Sequence, residues 1–417
     1  MQIDNLQYYV ITDKRLSYYF NDVTTVIEYD TLDNFFEGWI TFHNTYHQQF
    51  ATFGGADSLV YVLNVANIRT AELNGVEIKV TFKNDDTLSV YGLTETDTNY
   101  NYQYLNDVIR AYNIDTEIKT RNKLFVSLNN TEDIPNGIFN NINTAVDNAV
   151  YGDIIIVEPG SYTVSTIYLK NGIDFYFKDS TVTCNSGNLF QIYADGVYAR
   201  IFGNGRFITT DTNNLAGIVL YLNKISDVFM QFESITASNS GVYCHYSTST
   251  VNGVTLRVKG NTIISDQHCL DSDGYVYCYD ADVNSLNAGG QCYYPSDSGL
   301  SNVYIRNCYS VNNNLYGNFY LDHSGSQGYN FNGINLRLRN QNPLASSHAL
   351  DFPIFPSPTV NLWNCYLQTT NASSIGAYDP QVITCYGNTY ARKDPDGNVS
   401  FDGSGNFIID SNLNLTQ

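Results

Sequence analysis

The chain has 417 residues, 43% of them hydrophobic and only 15% charged, and its 41 Asp and Glu against 21 Lys and Arg leave a net charge of −20. That length suits two domains, and that apolar fraction excludes a disordered chain. Lys and Arg form no cluster, which excludes nucleic acid as a partner, and no apolar run is long enough for membrane insertion.

Residues 1–30 alternate loosely (YYVIT, LSYYF, TTVIEY) and read as short strands. The N-terminus lacks a basic segment followed by an apolar one, so no signal peptide is expected. Residues 31–50 have helical spacing, with Leu32, Phe35, Phe36, Trp39, Ile40, His43, Tyr46, His47 and Phe50 on one face and Phe42 as the misfit. His43 and His47 lie one turn apart, a spacing that can hold zinc. Asn44 stands where a zinc-protease motif has Glu, and both histidines lie on the apolar face, so packing is the reading and no metal or cofactor is expected.

LVYVLNV comes next, then the hairpin VEIKVTF-KNDD-TLSVYG, then a short helix over 102–112 with Tyr102, Leu105, Val108, Ile109 and Tyr112 inward. Residues 1–128 thus read as a small α+β domain. The polar NNTEDIPN marks its end. Beyond it, GIFNNINTAVDNAV predicts an amphipathic helix over about 137–150, with Ile138, Ile142, Ala145, Val146 and Ala149 on one side. Its expected role is to plug the open end of a tube of strands.

After residue 170 a strand motif recurs. IDFYFKDS, YARIFGNG, SDVFMQFES, NGVTLRVKG, YVYCYDA, SNVYIRNC, NGINLRLRN, PTVNLWNC and PQVITCYGN place anchors at Phe175, Ile201, Val228, Val254, Val276, Val303, Ile334, Val360 and Val382, 22 to 31 residues apart. Short alternating strands, turns of Gly, Asn, Asp and Ser, and no helical period predict a solenoid of parallel strands over 129–390, of nine or ten coils. Residues 391–417 read as a β tail, a hairpin around Asp402–Gly405 and a last strand. Several of the eight Cys (Cys269, Cys292, Cys308, Cys365) fall on strands and read as reduced, buried apolar residues.

The order helix, GDIIIVEPGSY, NGIDFYFKDSTV and then coils resembles the pectate-lyase-like superfamily of right-handed parallel β-helices. Within it, a domain set before the coils resembles bacteriophage tailspikes, tail fibres and head fibres. The resemblance implies a virion protein bound to other virion proteins through residues 1–128; without a signal peptide it is expected to be made in the host cytoplasm, and a thin tube rich in surface tyrosine is expected to pack side by side as a homotrimer. The resemblance also implies a β-helix that meets a host-surface glycan or protein. Pectate lyases need calcium-binding carboxylates and a basic catalyst; no such set is matched, so no lyase mechanism carries over.

Because equivalent positions stack in a solenoid, the strands GIVLYLN, GVYCHYS, QHCLDSD, GQCYYPS, NFYLDHS, SHALDF and IGAYDP predict a surface column of Tyr221, His245, Asp271, Tyr294, Asp322, Asp351 and Asp379. His323, His348 and Asp273 neighbour it. If Asp322 and Asp351 lie one coil apart, they stand at the roughly 5 Å of a retaining glycosidase, and Asp271 and Asp322, two coils apart, near the spacing of an inverting one. Asp271, Asp322 and Asp351 are therefore the catalytic candidates of a polysaccharide depolymerase, and Tyr221, His245, Asp273, Tyr294, His323 and His348 the ligand-binding candidates. The plainer readings are that these Asp end strands by bonding turn backbone, and that the many tyrosines pack a β surface or a subunit interface. A cell-surface adhesin is the remaining alternative.

Overall fold

The computed structural model describes residues 4–398 except 13–14, 21–22, 30–33, 36–37, 40–41, 43–44, 214–215, 247–252, 275, 296–301, 313–317, 321–329, 341–348, 352–358, 370–382, 387–389 and 394–396. The protein is mainly β: a small N-terminal β domain and a parallel β-solenoid.

The N-terminal segment contains strands β1 (Leu6–Thr12), β2 (Arg15–Phe20), β3 (Val23–Glu28), β4 (Phe50–Gly54) and β5 (Val60–Asn64), which form an antiparallel sheet in the order β3-β2-β1-β5-β4. A second sheet joins β6 (Ile68–Asn74), β7 (Glu77–Phe82) and β8 (Thr87–Tyr91). Between β3 and β4 the described residues Asn34, Phe35, Gly38, Trp39, Phe42, Thr45 and Tyr46 are helical, while Phe50 already belongs to β4. Phe42 is no misfit: its ring meets those of Tyr9, Tyr18, Tyr46 and Phe50.

Helix α1 runs from Glu95 to Tyr112, starting seven residues before the sequence-based expectation. Thr94 caps it, its Oγ1 accepting from the Asp97 amide at 3.1 Å. Leu105 and Val108 face the N-terminal sheets, while Tyr100, Tyr104, Asp107 and Ala111 are buried against the solenoid. A short helix α2 (Ile114–Glu117) follows.

Strand β9 (Lys123–Val126) is the first rung, since it pairs in parallel with Ile154–Val157. Helix α3 (Ile142–Asn148) starts at Asn141, whose Oδ1 accepts from the Thr144 amide at 3.2 Å. Its Ile142, Ala145 and Val146 join Leu124, Phe139, Ile155 and Ile167 in the tube's core and close that end.

Each coil then contributes strands to three faces. Alternation fixes which side chains enter the tube: in Ser161–Val164 and Thr181–Cys184 only every second residue is buried. The third face is an eight-stranded parallel sheet, from Ile167–Leu169 to Leu350–Asp351. All eight cysteines are buried and free.

The expected anchors lie on the right strands but are not all in register. Ile201 pairs with Met230, two residues beyond Val228, a slip that keeps the facing. Val303 pairs with Phe331, three residues before Ile334. That odd slip turns Ile334 outward, where it packs with Leu6, Tyr9, Phe50, Val62 and Trp363 beneath the N-terminal sheet.

The N-terminal segment therefore lies along the tube. Asp97 bonds the Tyr304 hydroxyl, Tyr104 bonds Asp282, Asp107 pairs with Arg200 and Arg257, and Ala111 packs on Phe202 and Phe229. Farther along, Trp363 Nε1 donates to Gly55 O at 3.0 Å. One helical turn rises ~5.4 Å and one rung ~4.8 Å, so each turn of α1 meets about one rung.

Candidate functional site

The third face presents one residue per rung to the outside. In Leu220–Leu222 the two leucines are buried and Tyr221 is half-buried between them. The observed column runs Tyr168, Gln191, Tyr221, Tyr243, Asp271, Tyr294. The pairing of Tyr293 with Phe319 puts Tyr320 next to Tyr294, and Tyr320 pairs with Asp351.

Tyr221, Asp271, Tyr294 and Asp351 thus share a column, as expected, but His245 does not. His245 pairs with Asp273, two residues along the strands. Tyr243 holds the expected place of His245, and Tyr320 that of Asp322. Both slips are of two residues, which leaves the facing unchanged, so alternation alone did not reveal them. Asp322, His323, His348 and Asp379 lie outside the described residues, as do the side chains of Asp273 and Asp351. The backbone positions of Asp271 and Asp351 are three rungs apart, about 14 Å at ~4.8 Å per rung.

The aromatic rings of the column are stacked. Tyr221 and Tyr243 lie 5.5 Å apart with planes at 5°, and Tyr243 and His245 lie 5.8 Å apart at 14°. His268 stacks on Tyr294 at 4.7 Å and 18°. Beside these rings opens a cleft of about 430 Å³ whose lining includes Asn239, Ser240, Tyr243, Gln267, His268 and Asp271.

Asp271 is buried, and Ser240 Oγ donates to its Oδ2 at 3.4 Å. His268 Nδ1 accepts from the Gln291 amide at 3.2 Å, and burial pushes its pKa down from 6.5 to about 4. Its imidazole is therefore neutral at physiological pH and presents its other nitrogen as a donor. Flat rings beside amide, hydroxyl, imidazole and carboxylate groups suit an uncharged polyhydroxylated ligand. Asp271 is the one carboxylate among the cleft's described lining residues; Asp322 and the side chain of Asp351, the other two catalytic candidates, lie outside them.

Sequence reasoning passed over His268. It lies in the segment QHCLDSD but three positions before Asp271, outside the column of equivalent positions. It also passed over the outward charges of the first face, Arg200, Arg257, Lys259, Asp280, Asp282 and Arg306, which are buried beneath the N-terminal segment. Compared with known proteins, the chain matches no family model, no curated protein and no solved structure.

Proposed function

We propose that this is a tailspike- or fibre-like virion protein whose solenoid binds a host-surface glycan at the tyrosine column. The observation that carries the reading is the stacked Tyr221–Tyr243 pair beside the polar cleft. Tyr243 is stacked between Tyr221 and His245, so the ladder offers a sugar its ring edges and hydroxyls, while Asn239, Gln267 and Asp271 offer further hydrogen-bond partners. A parallel β-solenoid preceded in the chain by a small domain is compatible with a homotrimeric phage fibre attached through residues 1–128. That segment has a surface suited to attachment: β3 is an edge strand with Val23, Val26 and Ile27 exposed, a template for an added strand.

Binding is the preferred reading because rings and neutral polar groups make up most of the cleft's described lining; depolymerisation by Asp271 with Asp322 or Asp351 is the second reading. The test is a titration of the whole chain against surface polysaccharides of candidate hosts, with Tyr243→Ala beside it. Saturable binding, weakened about tenfold in Tyr243→Ala with no new reducing ends, is the expected result. Equal binding by the variant, or no binding to any surface glycan, would refute the reading, and released reducing ends would move it to the depolymerase. Sedimentation at three times the monomer mass checks the trimer.

A further inference from the structure

A second cleft of about 430 Å³ opens where the C-terminal end of α1, with α2, meets the early rungs. Asp115 stands on its helical side. Glu158, Tyr176, Lys178, Asp179 and Gln231 stand on the solenoid side. Lys178 Nζ and Glu158 neutralise each other at 3.0 Å. Among the described residues no cation pairs with Asp115 or Asp179, so the cleft keeps two negative charges.

Two further groups face this space. Tyr176 is half-buried, and its hydroxyl makes no hydrogen bond among the described residues. Burial first, then Asp115, Asp179 and Glu158, raise its pKa, so all three carboxylates act on that hydroxyl. Gln231 is 3% exposed, and its Oε1 accepts from the Gly203 amide at 3.1 Å. Gly203 has φ +99°, and a Cβ there would meet Phe177 O at 2.2 Å, so the backbone that fixes the Gln231 amide is itself fixed. With Oε1 held, the Gln231 amide nitrogen has no protein acceptor among the described residues.

A ligand for this cleft carries a positive charge, an acceptor oxygen and an apolar face. Among the described residues no three acidic, His or Cys side chains converge as metal ligands, so an organic cation matches better than a metal ion. We propose that the seam cleft binds a sugar with a free ammonium group, a hexosamine. Its ammonium faces Asp115 and Asp179, an oxygen accepts from Gln231, and its apolar face lies against the part of Tyr176 left open by Lys178, whose Nζ stands 5.8 Å from the ring centroid. The site shares no residue with the tyrosine column and stands or falls separately from it.

The test is calorimetric titration of the full chain with the disaccharide of glucosamine and with its N-acetylated counterpart. Saturable binding of the free amine alone is expected. Asp115→Asn with Asp179→Asn should weaken it about tenfold or more. Asn suits position 179, where φ is +45°. A control pair of exposed acids, Glu72→Gln with Asp147→Asn, should leave binding unchanged, as should Tyr243→Ala. Equal binding of the acetylated sugar, equal loss in the control pair, no loss in the Asp115/Asp179 pair, or no binding at all would overturn the proposal.

Discussion

Asp107 lies between two guanidinium groups that have left water with it. Its oxygens meet Arg200 Nε at 3.1 Å and Arg257 Nε at 2.6 Å, and Arg257 also reaches Asp227 at 2.8 Å. Desolvating such a group costs about as much as its Coulomb attraction returns, so its worth shows when one member is removed. Asp107→Ala should lower unfolding free energy by about 3–5 kcal/mol in urea titrations; a loss under about 1 kcal/mol would mean that water enters the seam. His268 makes a pH-dependent contribution. Its folded pKa, about 4, lies below the 6.5 of the unfolded chain, so below pH 6.5 the unfolded state binds the extra proton. The stability contribution is full above 6.5, drains as pH falls and is gone below about 4. The loss is up to about 3 kcal/mol, less for the part of the ring open to water. Between pH 6.5 and 4 the unfolding free energy of the wild type should fall by up to this amount relative to that of His268→Gln.

At the scale of the element, the turns after the first-face strands are tied by asparagines. Asn335 Nδ2 donates to Asn307 Oδ1 and Asn364 Nδ2 to Asn335 Oδ1, each at 3.1 Å. The ladder begins on Asp282, whose Oδ1 accepts from Asn307 Nδ2 at 3.1 Å. All three asparagines are left-handed, with φ of 49°, 59° and 51°. Asn335→Ala removes the middle link and strains that backbone, whereas Asn335→Gly removes the link alone. We expect about 2–4 kcal/mol for Ala and about 1 kcal/mol less for Gly, read from urea midpoints. A Gly variant as costly as Ala would show that the left-handed turn carries none of the effect. The strands themselves were legible because their apolar positions alternate, as in YARIFG, where Ala199 and Ile201 enter the core. Their lateral register was not, since a two-residue slip preserves alternation and hid the exchange of His245 for Tyr243. Nor was the second buried face of α1 legible. It contains Asp97, Asn101 and Asp107, which an apolar period assigns to solvent, yet each meets a polar partner on the tube.

At the scale of the whole molecule, the N-terminal segment and the solenoid share buried surface from the early rungs to Trp363. Arg306, fully buried, bonds Asp280 on its own tube and both Asn101 and Thr52 O across the seam. A fragment of residues 123–398 would expose this guanidinium, Lys259 and the outward Phe202, Phe229 and Trp363. It should be insoluble or unfold far below the full chain, and the full chain should melt in one transition. A soluble fragment with its own melting point near that of the full chain would mean that the two parts are energetically separate.

A free solenoid lengthens or shortens easily, because each coil touches only its neighbours. Here Asp107, Tyr104, Asn101 and Gly55 are matched to particular rungs along one helix and one sheet. Inserting a coil between Arg200 and Trp363 would shift every later contact by about 4.8 Å, nearly a full helical turn. Duplication or deletion of coils, the ordinary route by which repeat proteins diversify, is therefore open only beyond Trp363. Between the two ends of the seam, descent can vary the side chains but not the length.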